Sequence, residues 1–302
     1  MVKAFYSNKF IYNLPEGHRF PIAKYDLIVQ QLIYEATLQD SQFAEPSVYP
    51  ENVYLSIHTA NYWQQLKSLA LTPKEIRKIG LPVNHISLGR AISSVAATID
   101  AAVFALEFGC GINIGGGTHH AFRDRGEGFC ILNDLTVAAE FVLNSFNITR
   151  ILILDLDVHQ GNGTAHTFQE IDKVFTFSMH CAANYPLVKE KSDLDVELEV
   201  ATRDQDYLYQ LQHHLEKVLG SFRPDFVFYQ AGVDVLGSDR LGRLALSKSG
   251  CKLRDELVLK TLHHNNIPVC ITMGGGYSPV IGDIVEAHCN TIRTAVKYYE
   301  FD

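Results

Sequence analysis

The sequence predicts an α/β protein, a three-layer α/β/α sandwich around a mostly parallel central sheet. Five short apolar runs recur along the chain, and longer amphipathic segments separate them. Strands that are apolar throughout, rather than at alternate positions, are typical of parallel sheets that helices cover on both faces. The predicted strands are residues 112–114, 151–154, 174–177, 226–229 and 269–272.

The segments around these runs have the length and residue spacing of helices. Predicted helices cover residues 92–108, 134–146, 206–219, 249–264 and 281–298. A short helix is expected to begin at Pro73, because proline suits the first helical position, and residues 22–38 form a further helix outside the sheet. No repeat, low-complexity tract or Pro/Gly/Ser linker interrupts the sequence, so residues 1–302 are predicted to form a single domain.

Composition and charge narrow the classes of function. The sequence is 47% hydrophobic and 20% charged, as in ordinary soluble globular proteins. Its formal net charge of −8 argues against a nucleic acid or an anionic membrane as the main partner. Six scattered cysteines without a CxxC pair indicate reduced thiols, and neither a signal-peptide pattern nor a membrane-spanning apolar run is recognised. We therefore expect a cytoplasmic protein, or a nuclear one in a eukaryote, of undetermined oligomeric state.

Glycines and polar residues directly follow each predicted strand. In chain order these segments read GGGTHH, DLDVHQGNG, SMH, AGVD and MGGGY. Ligands of open α/β sheets bind outside the carboxyl ends of the strands, where the loops converge. Glycines at such positions allow tight turns and close approach of the backbone to a ligand. The pattern predicts a functional site that brings His, Asp, Ser and Tyr side chains to one edge of the sheet.

A candidate metal site follows the second and fourth strands. Asp155, Asp157 and His159 are two residues apart, so in extended backbone their side chains project to the same face. Asp157 and His159 are candidate ligands, with Asp155 behind them, and Asp234 can supply a third ligand. An Asp/His/Asp set leaves one tetrahedral position for water, as in catalytic zinc sites. Zinc is therefore the predicted metal, although iron(II) also suits oxygen-rich ligands.

Three further residues suit hydrolysis of an amide by activated water. One of the adjacent His119 and His120 can accept a proton from the water while the other donates a proton or tunes the charge. Asp155 and Asn162 are the candidate partners that orient the two imidazole rings. Tyr277, carried on a glycine turn, can donate a hydrogen bond to the developing oxyanion.

Each motif also has a purely structural interpretation. A histidine pair is more often a surface or core feature, a DxDxH string can cap a helix, and GGGY is usually only a turn. Their joint occurrence at the ends of separate strands favours the catalytic interpretation. The pairs His213-His214 and His263-His264 lie in predicted helices and are assigned to solvated faces. No serine elbow, Walker loop or GxGxxG motif follows a suitable strand, so nucleotide and acyl-serine chemistry are not supported.

The motifs resemble, in kind and in order, those of the zinc-dependent histone deacetylase family, which has the arginase/deacetylase fold. GGGTHHA is similar to the family's GGxHHA loop, GFCILND to its GFCxxND segment, and DLDVHQGNG to its metal-binding strand. AGVD and GGGY are similar to its two remaining site motifs. LPEGHRFPIAKY, HQGNG, SDLDVEL and SDRLG resemble the class IV branch and its bacterial relatives.

The resemblance implies a role for each matched residue. The zinc ligands would be Asp157, His159 and Asp234, the proton-handling pair His119 and His120, and the carbonyl-polarising hydroxyl that of Tyr277. The acyl-lysine tunnel would be lined by Gly128, Phe129, Tyr185 and Gly275. A structural potassium ion would be held by Asp155, Asp157, His159, Ser178 and the backbone of Met179.

Two residues depart from the family's pattern. Asn162 stands where class I members have an aspartate behind the second histidine. Because an amide stabilises an imidazolium less than a carboxylate does, His120 is predicted to be the less basic histidine and the general base. Thr118 stands where relatives often have an aromatic residue. This difference predicts a roomier inner cavity that admits acyl groups longer than acetyl.

The sequence thus favours a metal-dependent amidohydrolase that removes acetyl or longer fatty acyl groups from lysine side chains of proteins or peptides. A small acetylated amine, such as an acetylpolyamine, is the alternative substrate. A ureohydrolase is disfavoured, because an arginase-type two-metal site needs aspartates where this chain has Gln160 and Asn162. A non-catalytic acyl-lysine binder is the alternative outside enzymes, but a binder has no need of Tyr277 and both catalytic histidines.

Overall fold

The computed structural model describes residues 1–300 of the chain. The strands are β1 Val2–Phe5, β2 Phe43–Ala44, β3 Cys110–Asn113, β4 Ile151–Asp155, β5 Val174–Cys181, β6 Leu194–Leu198, β7 Phe226–Gln230 and β8 Val269–Thr272. The helices are α1 Lys24–Tyr34, α2 Glu51–Leu55, α3 Ala60–Lys67, α4 Pro73–Ile79, α5 His85–Phe108, α6 Asp134–Ser145, α7 Asn162–Phe168, α8 Asp204–Phe222, α9 Lys248–His264 and α10 Ile281–Tyr299.

All the strands join one sheet in the order β2-β1-β3-β8-β7-β4-β5-β6, and every neighbouring pair is parallel. Helices α8, α9, α10 and α1 pack in series as one layer, and α5, α6 and α7 form the other. The predicted α/β/α sandwich is therefore confirmed. Because the strands are parallel, the loops after β3, β8, β7, β4 and β5 all open at the same edge of the sheet.

The five predicted strands are all present, and most extend by one or more residues. Three strands, β1, β2 and β6, were missed. Two of them, β2 and β6, are the edges of the sheet. An edge strand has fewer buried positions than a central one, so it does not form a continuous apolar run. In β6 the exposed Glu197 interrupts the apolar residues, and β2 has only two residues.

The predicted helices are also present, with shifted ends. Helix α5 begins at His85 rather than at residue 92, because the side chain of Asn84 accepts hydrogen bonds from the backbone N–H groups of Ile86 and Ser87. Helix α4 begins at Pro73, as expected, behind a capping box. Helices α2, α3 and α7 were not predicted. Helix α7 starts at Asn162, inside the glycine-containing metal motif, which the sequence pattern predicts to be a loop.

Helix α5 is long and apolar enough, by length and composition alone, to cross a membrane. The sequence pattern does not predict this, because polar residues such as Ser93 and Ser94 interrupt the apolar positions of the helix. The helix packs against β3, β8 and α6, and 61% of its most apolar window is buried inside the protein. Its apolar character is therefore accounted for by its place in the core.

Candidate active site

The three predicted metal ligands meet at the carboxyl ends of β4 and β7. These strands are neighbours in register, with Asp155 opposite Gln230, so the loops that follow them start side by side. Asp157, His159 and Asp234 are buried, and one ligand atom from each lies within 4.8 Å of the others. Nδ1 of His159 is 3.1 Å from Oδ1 of Asp157 and 3.1 Å from Oδ2 of Asp234.

The electrostatics of this cluster favour a bound cation. Burial and the charge of Asp157 raise the pKa of Asp234 to about 7. Burial lowers the pKa of His159, but hydrogen bonds and charges from Asp157 and Asp234 outweigh it and raise the pKa to about 10. Two buried carboxylates beside an imidazole therefore bind positive charge strongly. The oxygen and nitrogen donors fit a divalent metal, which neutralises both carboxylates at once.

The adjacent histidines have the two different partners that the sequence predicts. Nδ1 of His119 lies 2.7 Å from Oδ2 of Asp155, and Nδ1 of His120 lies 2.7 Å from Oδ1 of Asn162. The two imidazole centroids are 4.0 Å apart. Because the Asn162 oxygen accepts a hydrogen bond from Nδ1 of His120, the lone pair of this imidazole is on Nε2.

These partners give the two histidines opposite basicity. Burial lowers the pKa of His119, but the charges of Asp155 and Asp157 outweigh it and raise the pKa to about 9. Burial, followed by the charges of His119 and His159, holds the pKa of His120 well below its usual range. These surroundings therefore favour the protonated form of His119 and the neutral form of His120. The prediction that His120 is the less basic histidine agrees with this geometry.

The glycine turn after β8 places Tyr277 beside the cluster of Asp157, His159 and Asp234. The N–H of Gly275 donates to Oδ2 of Asp157 at 2.8 Å, and a side chain at residue 275 would collide with the carboxylates of Asp157 and Asp234. The ring of Tyr277 lies 6.5 Å from that of His159, centroid to centroid. Burial raises the pKa of Tyr277 well above its usual value, so its hydroxyl stays protonated and can donate a hydrogen bond.

A cavity of about 290 Å³ leads from the surface to this cluster. The predicted tunnel residues Gly128, Phe129 and Tyr185 line it, together with His120, His159 and Tyr277. The ring of Phe129 lies 5.7 Å from that of Tyr277, and the ring of Tyr185 lies 4.9 Å from that of His120. Gly275 lies deeper and lines a second, inner cavity.

The inner cavity is small, so the prediction of a roomier inner cavity is wrong. Thr118 was expected to leave extra space, but the cavity has only about 20 Å³, close to the room that one water molecule needs. Oγ1 of Thr118 donates a hydrogen bond to Asp134 at 2.5 Å. Phe20, Tyr25 and Arg90 from other parts of the chain line the remaining space. The small residue at position 118 therefore does not produce a large cavity.

The residues of the expected potassium site lie on adjacent strands. Asp155 and Ser178 are partners in the register of β4 and β5, and Met179 is fully buried next to them. Oδ2 of Asp155, however, faces His119, and Oγ of Ser178 lies 3.0 Å from Nδ1 of His180. Potassium binding here stays a prediction.

Sequence reasoning missed Lys24, which is fully buried at the back of the site. Its Nζ donates to the carbonyl oxygen of Gly274 at 2.8 Å and lies 5.8 Å from the ring centroid of Tyr277. Burial, partly opposed by the charges of Asp234 and Asp157, lowers its pKa to about 8. Lys24 thus supports the turn that carries Tyr277. Its one signal in the sequence is its place in the LPEGHRFPIAKY motif.

A buried Asp/His/Asp cluster that can hold a divalent cation, at the carboxyl edge of an open parallel sheet, is the arrangement of a metal-dependent α/β enzyme. Residues 18–292 match the histone deacetylase domain. Histone deacetylase 2 of Arabidopsis thaliana is 33% identical over 89% of this chain and 73% of its own length. The chain therefore belongs to the histone deacetylase family, whose members are deacetylase-type hydrolases that use a divalent metal.

Two further proteins and one solved structure are also similar to this chain. An uncharacterized protein of Picosynechococcus is 43% identical over 97% of this chain and 98% of its own length. The acetoin utilization protein AcuC of Staphylococcus aureus is 28% identical over 79% of this chain and 67% of its own length. In fold, the chain resembles the crystal structure of a histone deacetylase homologue complexed with SAHA, with a TM-score of 0.84 and 22% identity over 99% of this chain and 88% of that one.

Proposed function

We propose that the protein is a zinc-dependent lysine deacylase of the class IV branch that hydrolyses Nε-acyl-lysine in proteins or peptides. The observation that carries this proposal is the unequal histidine pair beside the metal cluster. Burial favours the neutral form of His120, whose Nε2 lone pair is available, while the charge of Asp155 favours the protonated form of His119. This combination suits a general base that works next to a fixed positive charge.

Each residue of the proposed active site has a separate role in hydrolysis. When bound by Asp157, His159 and Asp234, zinc supplies a Lewis acid and lowers the pKa of water. His120 accepts a proton from the attacking water at Nε2. The charge of His119 and the hydroxyl of Tyr277 then stabilise the negative charge that develops on the carbonyl oxygen. The C–N bond breaks as the proton taken up by His120 passes to the leaving lysine amine, and the acyl group leaves as a carboxylate that retains the oxygen of the water.

The test is hydrolysis of a fluorogenic acetyl-lysine peptide by the wild type, with and without a chelator, and by the H120A variant. We expect chelation to abolish the activity and zinc to restore it better than iron(II). Removing the general base should lower kcat by about 10²- to 10⁴-fold. The matched control is H213A, because His213 is exposed on α8. Chelator-insensitive activity, or full activity of H120A, would overturn the proposal.

Asn162→Asp tests how the partner of His120 sets its basicity. A carboxylate in place of the amide stabilises the imidazolium, so the pKa of His120 should rise. Because the base must be neutral to act, the acid limb of the kcat/KM profile should move to higher pH by the same amount. An unmoved profile, measured on a variant with unchanged zinc content, would show that His120 is not the titrating base.

We propose acetyl as the acyl group, on the basis of the inner cavity of about 20 Å³. A myristoyl chain needs far more space than the single water-sized void beyond the metal cluster. We expect kcat/KM for an acetyl-lysine peptide to exceed that for the same peptide with myristoyl-lysine. Faster hydrolysis of the myristoyl peptide would show that the cavity opens when substrate binds.

A further inference from the structure

The mouth of the active-site cavity is basic, although the chain as a whole has a net charge of −8. Arg19, from the loop before α1, and Arg77 and Lys78, from the last turn of α4, line the cavity and are exposed. Among the described residues that line this cavity there is no Asp or Glu. The mouth therefore has a local positive charge opposite in sign to that of the whole protein.

Three carboxylates in segments next to the cavity are already engaged in hydrogen bonds. Glu127 accepts a hydrogen bond from the hydroxyl of Tyr185 at 2.6 Å and lies 3.8 Å from Nε of Arg125. Asp239 accepts hydrogen bonds from three backbone N–H groups and is mostly removed from solvent. Glu75 caps the start of α4. Across residues 1–300, no ion pair within 4.0 Å neutralises the three cations of the mouth.

Backbone hydrogen bonds hold these cations next to the tunnel wall. The N–H of Gly128 donates to the carbonyl oxygen of Lys78 at 3.1 Å, and the N–H of Phe129 donates to that of Ile79 at 2.6 Å. Nε2 of His18 lies 2.9 Å from the carbonyl oxygen of Gly80. The end of α4 and the loop before α1 are thus both joined to the segment that lines the tunnel. The three cations therefore lie beside the cavity that substrate would enter.

A purely structural role explains only some of the cations at the mouth of the cavity. Cations in the last turn of a helix interact favourably with the helix dipole, and this explains Arg77 and Lys78. It does not explain Arg19, which belongs to a separate loop that meets α4 only in the tertiary structure. Cations that converge from two segments around a binding cavity raise the local concentration of anionic ligands and repel cationic ones.

We propose that the basic mouth selects acyl-lysines flanked by acidic residues and discriminates against polycationic substrates, both lysine-rich segments and acetylated polyamines. This inference rests on the proposed function and specifies the substrate class of the same site. Three cations spread over two segments fit a peptide that extends beyond the acyl-lysine itself, with carboxylates on either side of the modified residue. The discrimination is a charge effect at the surface, so it should weaken as salt screens it.

The test compares kcat/KM for three acetyl-lysine peptides of equal length, with acidic, neutral or basic flanks, and for an acetylated polyamine. At low salt we expect the acidic peptide to exceed the basic one by roughly tenfold, because each exposed charge pair contributes a modest amount. The polyamine should be hydrolysed no better than the basic peptide. Near 1 M salt, where the screening length is about 3 Å, the ratio should approach one.

Variants that remove positive charge test whether the three cations cause the preference for the acidic peptide. The double variant R77Q/K78Q and, independently, R19Q should each lower the acidic-to-basic ratio. The matched control is K74Q, because Lys74 is exposed on the same helix but does not line the cavity. Equal rates for the three peptides, a preference for the basic one, or an equal loss of discrimination in K74Q would overturn this inference while leaving the proposed function intact. Failure to hydrolyse any of the peptides would count against the proposed function instead.

Discussion

Replacing Asp234 with Asn is expected to abolish divalent-metal binding and, with it, hydrolysis of the acetyl-lysine peptide. The substitution keeps the shape of the side chain but removes one of the two carboxylates that neutralise the metal. Loss of a residue that merely supports a ligand costs about 10- to 100-fold in metal affinity or activity, so loss of a ligand should cost more. Metal content and kcat measured on the same preparation check this expectation.

The D234N variant should still fold, and the difference between its free energy of unfolding and that of the wild type should depend on pH. Burial and Asp157 raise the pKa of Asp234 to about 7, so in the metal-free protein its ionised form opposes folding. This cost is present above pH 7 and disappears below the pKa of about 4 in the unfolded chain. Metal-free D234N should therefore be at least as stable as the metal-free wild type at pH 8, with no such advantage near pH 3.

Thermal unfolding with and without zinc distinguishes metal binding from folding. Zinc should raise the Tm of the wild type and leave that of D234N unchanged, because only a ligand that binds the native state stabilises it. D172N, which changes an exposed aspartate away from the site, should respond to zinc as the wild type does. A zinc-dependent rise in the Tm of D234N equal to that of the wild type would show that Asp234 is not a ligand.

Replacing Arg254 with Met is expected to lower the free energy of unfolding by about 3–5 kcal/mol, the usual effect of breaking a buried ion pair. Arg254 is fully buried and pairs with Asp255, which is also fully buried, at 2.8 Å. Its guanidinium also donates to the carbonyl oxygens of Gly232 and Leu156, in the loops after β7 and β4 that carry the candidate metal ligands. The single substitution leaves the Asp255 carboxylate buried without its counter-charge.

A double substitution separates the lost charge from the lost volume. R254M/D255N removes both charges, so it should be more stable than R254M alone. The control is R150M, because Arg150 forms a partly exposed ion pair with Asp225 at 3.4 Å that should contribute no more than about 1 kcal/mol. Denaturant unfolding measures all three variants. An R254M variant no less stable than R150M would contradict the role given to the buried pair.

The sequence by itself determined the fold class, the five central strands and the composition of the site. These features are encoded locally. A strand buried on both faces must be apolar along its length, so β4 and β7 are visible as continuous runs. Metal ligands two residues apart, such as Asp157 and His159, and a histidine pair next to a glycine loop can be recognised without knowledge of the rest of the chain. The parallel arrangement then requires their loops to meet at one edge.

Only the tertiary structure decided the features that depend on distant segments. Lys24 donates a hydrogen bond to Gly274, which is 250 residues away in the sequence, and no local pattern predicts that a lysine is buried there. The inner cavity is small because Phe20, Tyr25 and Arg90 line it, whereas Thr118 alone suggested the opposite. The basic mouth likewise forms where Arg19 meets the end of α4. The volume of a cavity and the charge at its mouth depend on residues from distant parts of the chain, so the packing of the folded chain determines both.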